Sequence, residues 1–73
     1  MNSVLLNRLN LIESLINLLK TRGYEKEKNE ALKGELSYTA KTIKRDMHLY
    51  NADEQRQAIE ALRKVESVGV EIS

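Results

Sequence analysis

Three basic side chains and a histidine fall within the thirteen residues YTAKTIKRDMHLY, positions 38 to 50, and they are the residues here whose types and spacing could do chemistry. On a helix, Lys41, Lys44, Arg45 and His48 share one side, while Ala40, Ile43, Met47 and Tyr50 share another about 130° away. A helix held by its apolar edge and showing lysine and arginine on the opposite edge can meet phosphates. A planar guanidinium such as that of Arg45 can also form a bidentate contact with guanine or a phosphate. The same pattern describes a solvated polar face opposite a core face. Asp46, amid these bases, reads as an intramolecular partner for a neighbouring base.

Other chemistries find little support. There is no cysteine and one histidine in 73 residues, which excludes disulfides and thiolate metal sites and leaves a histidine-based site short of ligands. Scattered carboxylates and the absence of a Gly-rich phosphate loop give no convergent acid–base constellation. The expectation is therefore a non-enzyme without cofactor or metal. Twelve Lys and Arg stand against eleven Asp and Glu, so only the distribution of charge is informative. Residues 1–23 and 38–50 each carry +2, residues 24–36 carry −1 and residues 51–73 carry −2.

The elements that would position these residues follow from periodicity. Ser3 can cap a first helix in which Leu5, Leu9, Ile12, Ile16 and Leu19 recur at spacings of four and three. Leu11, Leu15 and Leu18 form a second, adjacent stripe, wider than one partner helix needs, and this stripe is the expected dimer interface. The helix is expected to close at Arg22 with Gly23 in the left-handed conformation. A short helix over about 30–36 follows, capped by Asn29 and carrying Leu32 and Leu36. Thr39 is the expected cap of the basic helix, which runs to Tyr50. NADE at 51–54 has the form of a capping box and opens a further helix over about 52–67 with Ala58, Ile59, Leu62 and Val65 on its apolar side. Gly69 should end it and leave VEIS as an extended tail or one short strand.

The expected fold class is a single all-α domain, a bundle of about four helices over residues 1–73. A chain this short buries a modest share of its surface, so a homodimer is expected. Arg8, Glu13 and three asparagines interrupt the apolar start, which speaks against a signal or membrane segment. With no cysteine, the expected location is the cytoplasm.

Arranged as helix, short helix, tight turn and basic helix, residues 9 to 50 resemble the helix-turn-helix of DeoR-type repressors and the related amino-terminal modules of BglG and Mga-like regulators. The run LSYTAKTIKRDMHL carries the resemblance, through Leu36, Tyr38, Thr39, Thr42, Ile43, Lys44, Arg45, Asp46 and Met47. Ser37 stands where that family's turn has glycine, and Lys33 where it has alanine. A fourth helix stands where a wing would follow. The resemblance implies a wingless, helix-dimerised, sequence-specific binder of double-stranded DNA, a small transcriptional regulator. Its contacts would be Thr39, Lys41, Thr42, Lys44, Arg45 and His48. The alternative is a small helical protein–protein interaction module, such as an antirepressor, a phage-type inhibitor or an assembly factor, acting through the leucine-rich first helix.

Overall fold

The computed structural model describes residues 2–21 and 26–72, with side chains described at 2–21 and 29–72. The order is α1 (Ser3–Thr21), α2 (Lys26–Arg45), a single 3-10 turn (Met47–Leu49) and α3 (Ala52–Ser67), with no strand among the described residues. The all-α expectation holds, with three α-helices in place of about four. The expected close of α1 at Arg22 and Gly23 lies outside the described residues.

α1 begins one residue earlier in its capping than expected. The Asn2 side chain, not that of Ser3, accepts the Val4 backbone N–H at 2.9 Å, and the Asn2 carbonyl accepts from Leu6 at 3.0 Å. The inner stripe behaves as its spacing demands: Leu5, Ile12 and Ile16 are buried, and Leu9 and Leu19 pack partly buried against the core.

The largest difference from the sequence reading lies in α2. A short helix over 30–36 and a second one starting at Thr39 are replaced by one continuous helix, Lys26–Arg45, that passes straight through Ser37, Tyr38 and Thr39. The reason is a single apolar stripe, Leu32, Leu36, Ala40 and Ile43, spaced four, four and three, which continues through Met47 to Tyr50. A turn at 37–38 would take Leu36 and Ile43, both fully buried, out of phase with each other. Each such side chain is worth roughly 1.5 to 3 kcal/mol on burial. That exceeds what a hydroxyl cap returns, about 1 kcal/mol. Thr39 is accordingly a buried mid-helix residue rather than a cap. The Thr42 hydroxyl is satisfied within the helix by donating to the Thr39 carbonyl at 2.7 Å.

α2 ends at Arg45, five residues short of the expected end at Tyr50. Asp46 and the turn Met47–Leu49 form a corner, closed by Leu49 N–H to the Asp46 carbonyl at 2.9 Å and Tyr50 N–H to that of Met47 at 3.2 Å. α3 then starts on the capping box read from the sequence. The Asn51 side chain accepts the Glu54 N–H at 2.9 Å, and the Glu54 carboxylate accepts the Asn51 N–H at 3.0 Å. Glu54 also accepts the Asn2 N–H at 2.7 Å, tying the start of α1 to the start of α3. The Gln55 amide donates to the Met47 and Tyr50 carbonyls at 3.2 and 3.1 Å, so the corner is fastened from α3.

α3 buries Glu54, Ala58, Ala61 and Val65; Leu62 is half-buried, and Ile59 points to solvent rather than to the core. Ala61 lies in phase with Ala58 and Val65 at spacings of three and four, and the larger Ile59 does not. Gly69 closes the helix at φ +83°, donating to the Glu66 carbonyl at 3.0 Å, as a left-handed terminator should. The tail folds back without forming a strand: Val70 is buried, and the Ser37 hydroxyl donates to the Glu71 carbonyl at 3.2 Å. No described helix is long and apolar enough to cross a membrane.

Candidate interaction surfaces on α1 and α2

Two surfaces emerge, and α2 contributes to both. The first is the outer side of its C-terminal half, where Lys41, Lys44 and Arg45 are exposed. His48 is exposed too, but it sits on the 3-10 turn beyond the helix, so the basic side is broken at Asp46. Among the described residues Lys41 and Lys44 make no ion pair, whereas Arg45 is engaged: its Nε lies 3.1 Å from Asp46 Oδ1 and its Nη2 3.3 Å from Oδ2. Thr39 and Thr42, expected beside a phosphate, are buried because the unbroken helix turns them toward the interior and α1. The structure thus brings Lys41, Lys44 and Arg45 together on the exposed side of the helix, while Thr39 and Thr42 are buried and meet Arg45 only along the cleft between α1 and α2.

The second surface is the face that α1 and α2 share. The helices run antiparallel, and Arg8 Nη1 reaches Asp46 Oδ2 at 2.8 Å across 38 positions of sequence. Asp46 thus sits between two guanidiniums, Arg45 and Arg8, whose hydrogen bonds hold its carboxyl well below the ordinary value, at about 2. The same bonds to Asp46 raise both arginines. Two bases on one acid leave a residual single positive charge at this end of the face. Tyr50 is buried beside Arg8 with its hydroxyl lacking a hydrogen bond of good geometry.

Along α1, the second leucine stripe divides. Leu15 is only 7% exposed because α1 packs against α2, so it belongs to the core and not to an interface; Leu11 and Leu18 remain 43% and 38% exposed. Val4, half exposed, extends them to Val4, Leu11 and Leu18 at intervals of seven residues. Beside this ridge lies an open cleft of about 270 Å³ between α1 and α2, lined by Arg8, Leu11, Glu35, Tyr38, Thr39, Thr42 and Arg45. Tyr38 is 69% exposed at its rim. Glu35 forms the opposite end from Arg45, ten residues along α2, and makes no ion pair among the described residues.

Sequence reasoning missed Val4, Arg8, Glu35 and Tyr38. Val4 was legible as the residue seven before Leu11, whereas Arg8 and Glu35 join the face only through helix pairing. A smaller cleft of about 160 Å³ between α1 and α3 is lined by Leu9, Ile12, Glu13, Gln57, Glu60 and Lys64, a solvated mixture of signs. No group of three or more His, Asp or Glu among the described residues could hold a metal ion.

Comparison with protein-family models, curated proteins and solved structures returns no match.

Proposed function

We propose that this chain is a small helical protein–protein interaction module that works through the shared face of α1 and α2, by binding rather than by catalysis. One observation carries the reading: α2 runs unbroken through residues 36–40. Continuity turns Thr39 and Thr42 inward and leaves an apolar ridge and an aromatic rim exposed where α1 and α2 meet. Apolar anchors at helical spacing are how a helix recognises another protein. A location in the cytoplasm belongs to the same reading and rests on the cysteine-free sequence.

The second reading is a sequence-specific DNA-binding protein of helix-turn-helix type, a transcriptional regulator. The observation favouring it is the common exposure of Lys41, Lys44, Arg45 and His48 around the end of α2. Fluorescence anisotropy of a mixed-sequence duplex at about 50 and about 200 mM salt separates the two, since phosphate contacts show as a salt slope of about one unit each. The interaction reading expects no binding at either salt concentration. Salt-dependent binding that disappears in Lys41→Ala/Lys44→Ala would install the DNA reading instead.

A further inference from the structure

We infer that the α1–α2 face is a two-fold contact between copies of this chain. In this contact α1 lies antiparallel to α1 of the partner subunit, and Glu35 of each copy meets Arg45 of the other. The inference rests on the interaction reading above and supplies its partner: a second copy of the same chain.

Self-association through a two-fold axis requires a surface that complements itself when reversed. The apolar pattern meets that condition. Val4, Leu11 and Leu18 stand seven residues apart, so they line up along one side of α1 over about 21 Å. Reversal near the Leu11 turn sets the Val4 end of one ridge against the Leu18 end of the other and leaves Leu11 near the axis. The exposed Tyr38 of each copy then flanks the centre.

The charge pattern independently selects the same reversal. One end of the face carries Arg8 and Arg45 around the single acid Asp46, a net positive charge; the other end carries Glu35. Glu35 and Arg45 are separated by about 15 Å along α2. An antiparallel contact brings each glutamate toward the arginine of the other copy. A parallel contact would set glutamate on glutamate and the arginine clusters on each other, and like charges facing across an interface oppose association. A face with one sign throughout would carry no such preference.

The area agrees with a modest dimer. The chain exposes 5095 Å². A compact monomer of 8.4 kDa is expected to expose about 4,600 Å², an excess of roughly 500 Å². A face as long as α1, about 28 Å, and two helices wide supplies roughly 500 Å² per copy. Together the two copies would bury about 1,000 Å², near the lower bound for a specific interface. A contact of this size belongs with weak, transient interfaces, so the dimer is expected to dissociate on dilution.

The test is sedimentation equilibrium over a concentration series spanning roughly 5 to 500 μM, with far-UV circular dichroism to establish that each variant is folded. Wild type should shift from the 8.4 kDa monomer to twice that mass. Leu11→Glu should remain monomeric with full helix content, and Leu18→Glu, at an equally exposed position, provides the same reading should Leu11→Glu lose helix. Glu35→Arg should weaken dimerisation by about tenfold, and adding Arg45→Glu to it should restore most of the loss. A wild type that stays monomeric throughout overturns the inference but leaves the interaction reading standing, with a different protein as partner. A dimer indifferent to Leu11→Glu and Leu18→Glu, or a charge swap that fails to restore association, also overturns it. Salt-dependent duplex binding through Lys41 and Lys44 would instead remove the reading beneath it.

Discussion

Residues 36–40 and residues 46–51 carry similar signals for ending a helix, yet only the second stretch ends one. Both contain short polar side chains able to cap: Ser37 and Thr39 in the first, Asn51 in the second. The difference is what surrounds them. At 36–40 the apolar stripe keeps its phase across the polar residues, and the tail meets the Ser37 side chain, whose hydroxyl donates to the Glu71 carbonyl. At 46–51 the backbone leaves the helix with its groups taken up: Asn51 and Glu54 cap each other, Gln55 takes two carbonyls, and Asp46 is held by Arg45 and Arg8. A capping residue ends a helix where tertiary partners accept the released hydrogen bonds, and otherwise it is carried through.

The strongest way to break this comparison is Ser37→Pro. In a turn a proline at this position would be mild; inside α2 it removes a backbone hydrogen bond and clashes with the preceding turn. A loss of about 3 kcal/mol or more in denaturant unfolding is expected.

Asp46→Asn comes next and acts on the corner. The Asp46 carboxyl lies at about 2 in the folded chain, below its ordinary 3.8. Its contribution is therefore fully present above the ordinary value and is lost as pH falls from there toward the folded value. Thermal melts should show the variant less stable than wild type near neutral pH, with the gap closing as pH falls from about 4 to about 2. Glu54, lowered by accepting the backbone N–H groups of Asn2 and Asn51, adds acid sensitivity of the same sign.

Asn51→Ala should cost about 1 kcal/mol, since one half of the capping box goes while the apolar contacts of α3 remain. Thr39→Ser should cost a similar amount by a different route, about 1 kcal/mol, because it removes a buried methyl group from a site that caps nothing. The smallest effect sharpens the comparison from the other side. Gly34 lies inside α2 with no atom within 4 Å of where a Cβ would stand, so Gly34→Ala should stabilise the chain by roughly 0.5 to 1 kcal/mol. A loss there would mean that the segment is not helical.

Much of this architecture was legible in the sequence wherever a local pattern decides the outcome. The inner stripe of α1, the Asn51 to Glu54 box and the Gly69 terminator are each contained within a few turns of chain. The continuity of α2 was legible too, in the spacing of Leu32, Leu36, Ala40 and Ile43. It was obscured because Gly34, Ser37 and Thr39 are poor helix formers locally, and local preference yields when burial of a whole stripe opposes it. What a single helix cannot reveal is which of its flanks a neighbour covers. Leu15 and Leu11 look alike in the sequence, and only the packing of α2 buries one and leaves the other exposed. Arg8 and Asp46 meet for the same reason.

The continuity of α2 decides both the fold and which surface is available for binding, and amide hydrogen exchange read residue by residue by NMR over 34–45 tests it most directly. The account expects helical Cα shifts throughout and slow exchange at the amides of Leu36 to Ile43, with no gap at Ser37, Tyr38 and Thr39. Rapid exchange and extended or left-handed shifts at 37–39, flanked by protected helix on either side, would contradict it and restore the turn that a recognition helix needs.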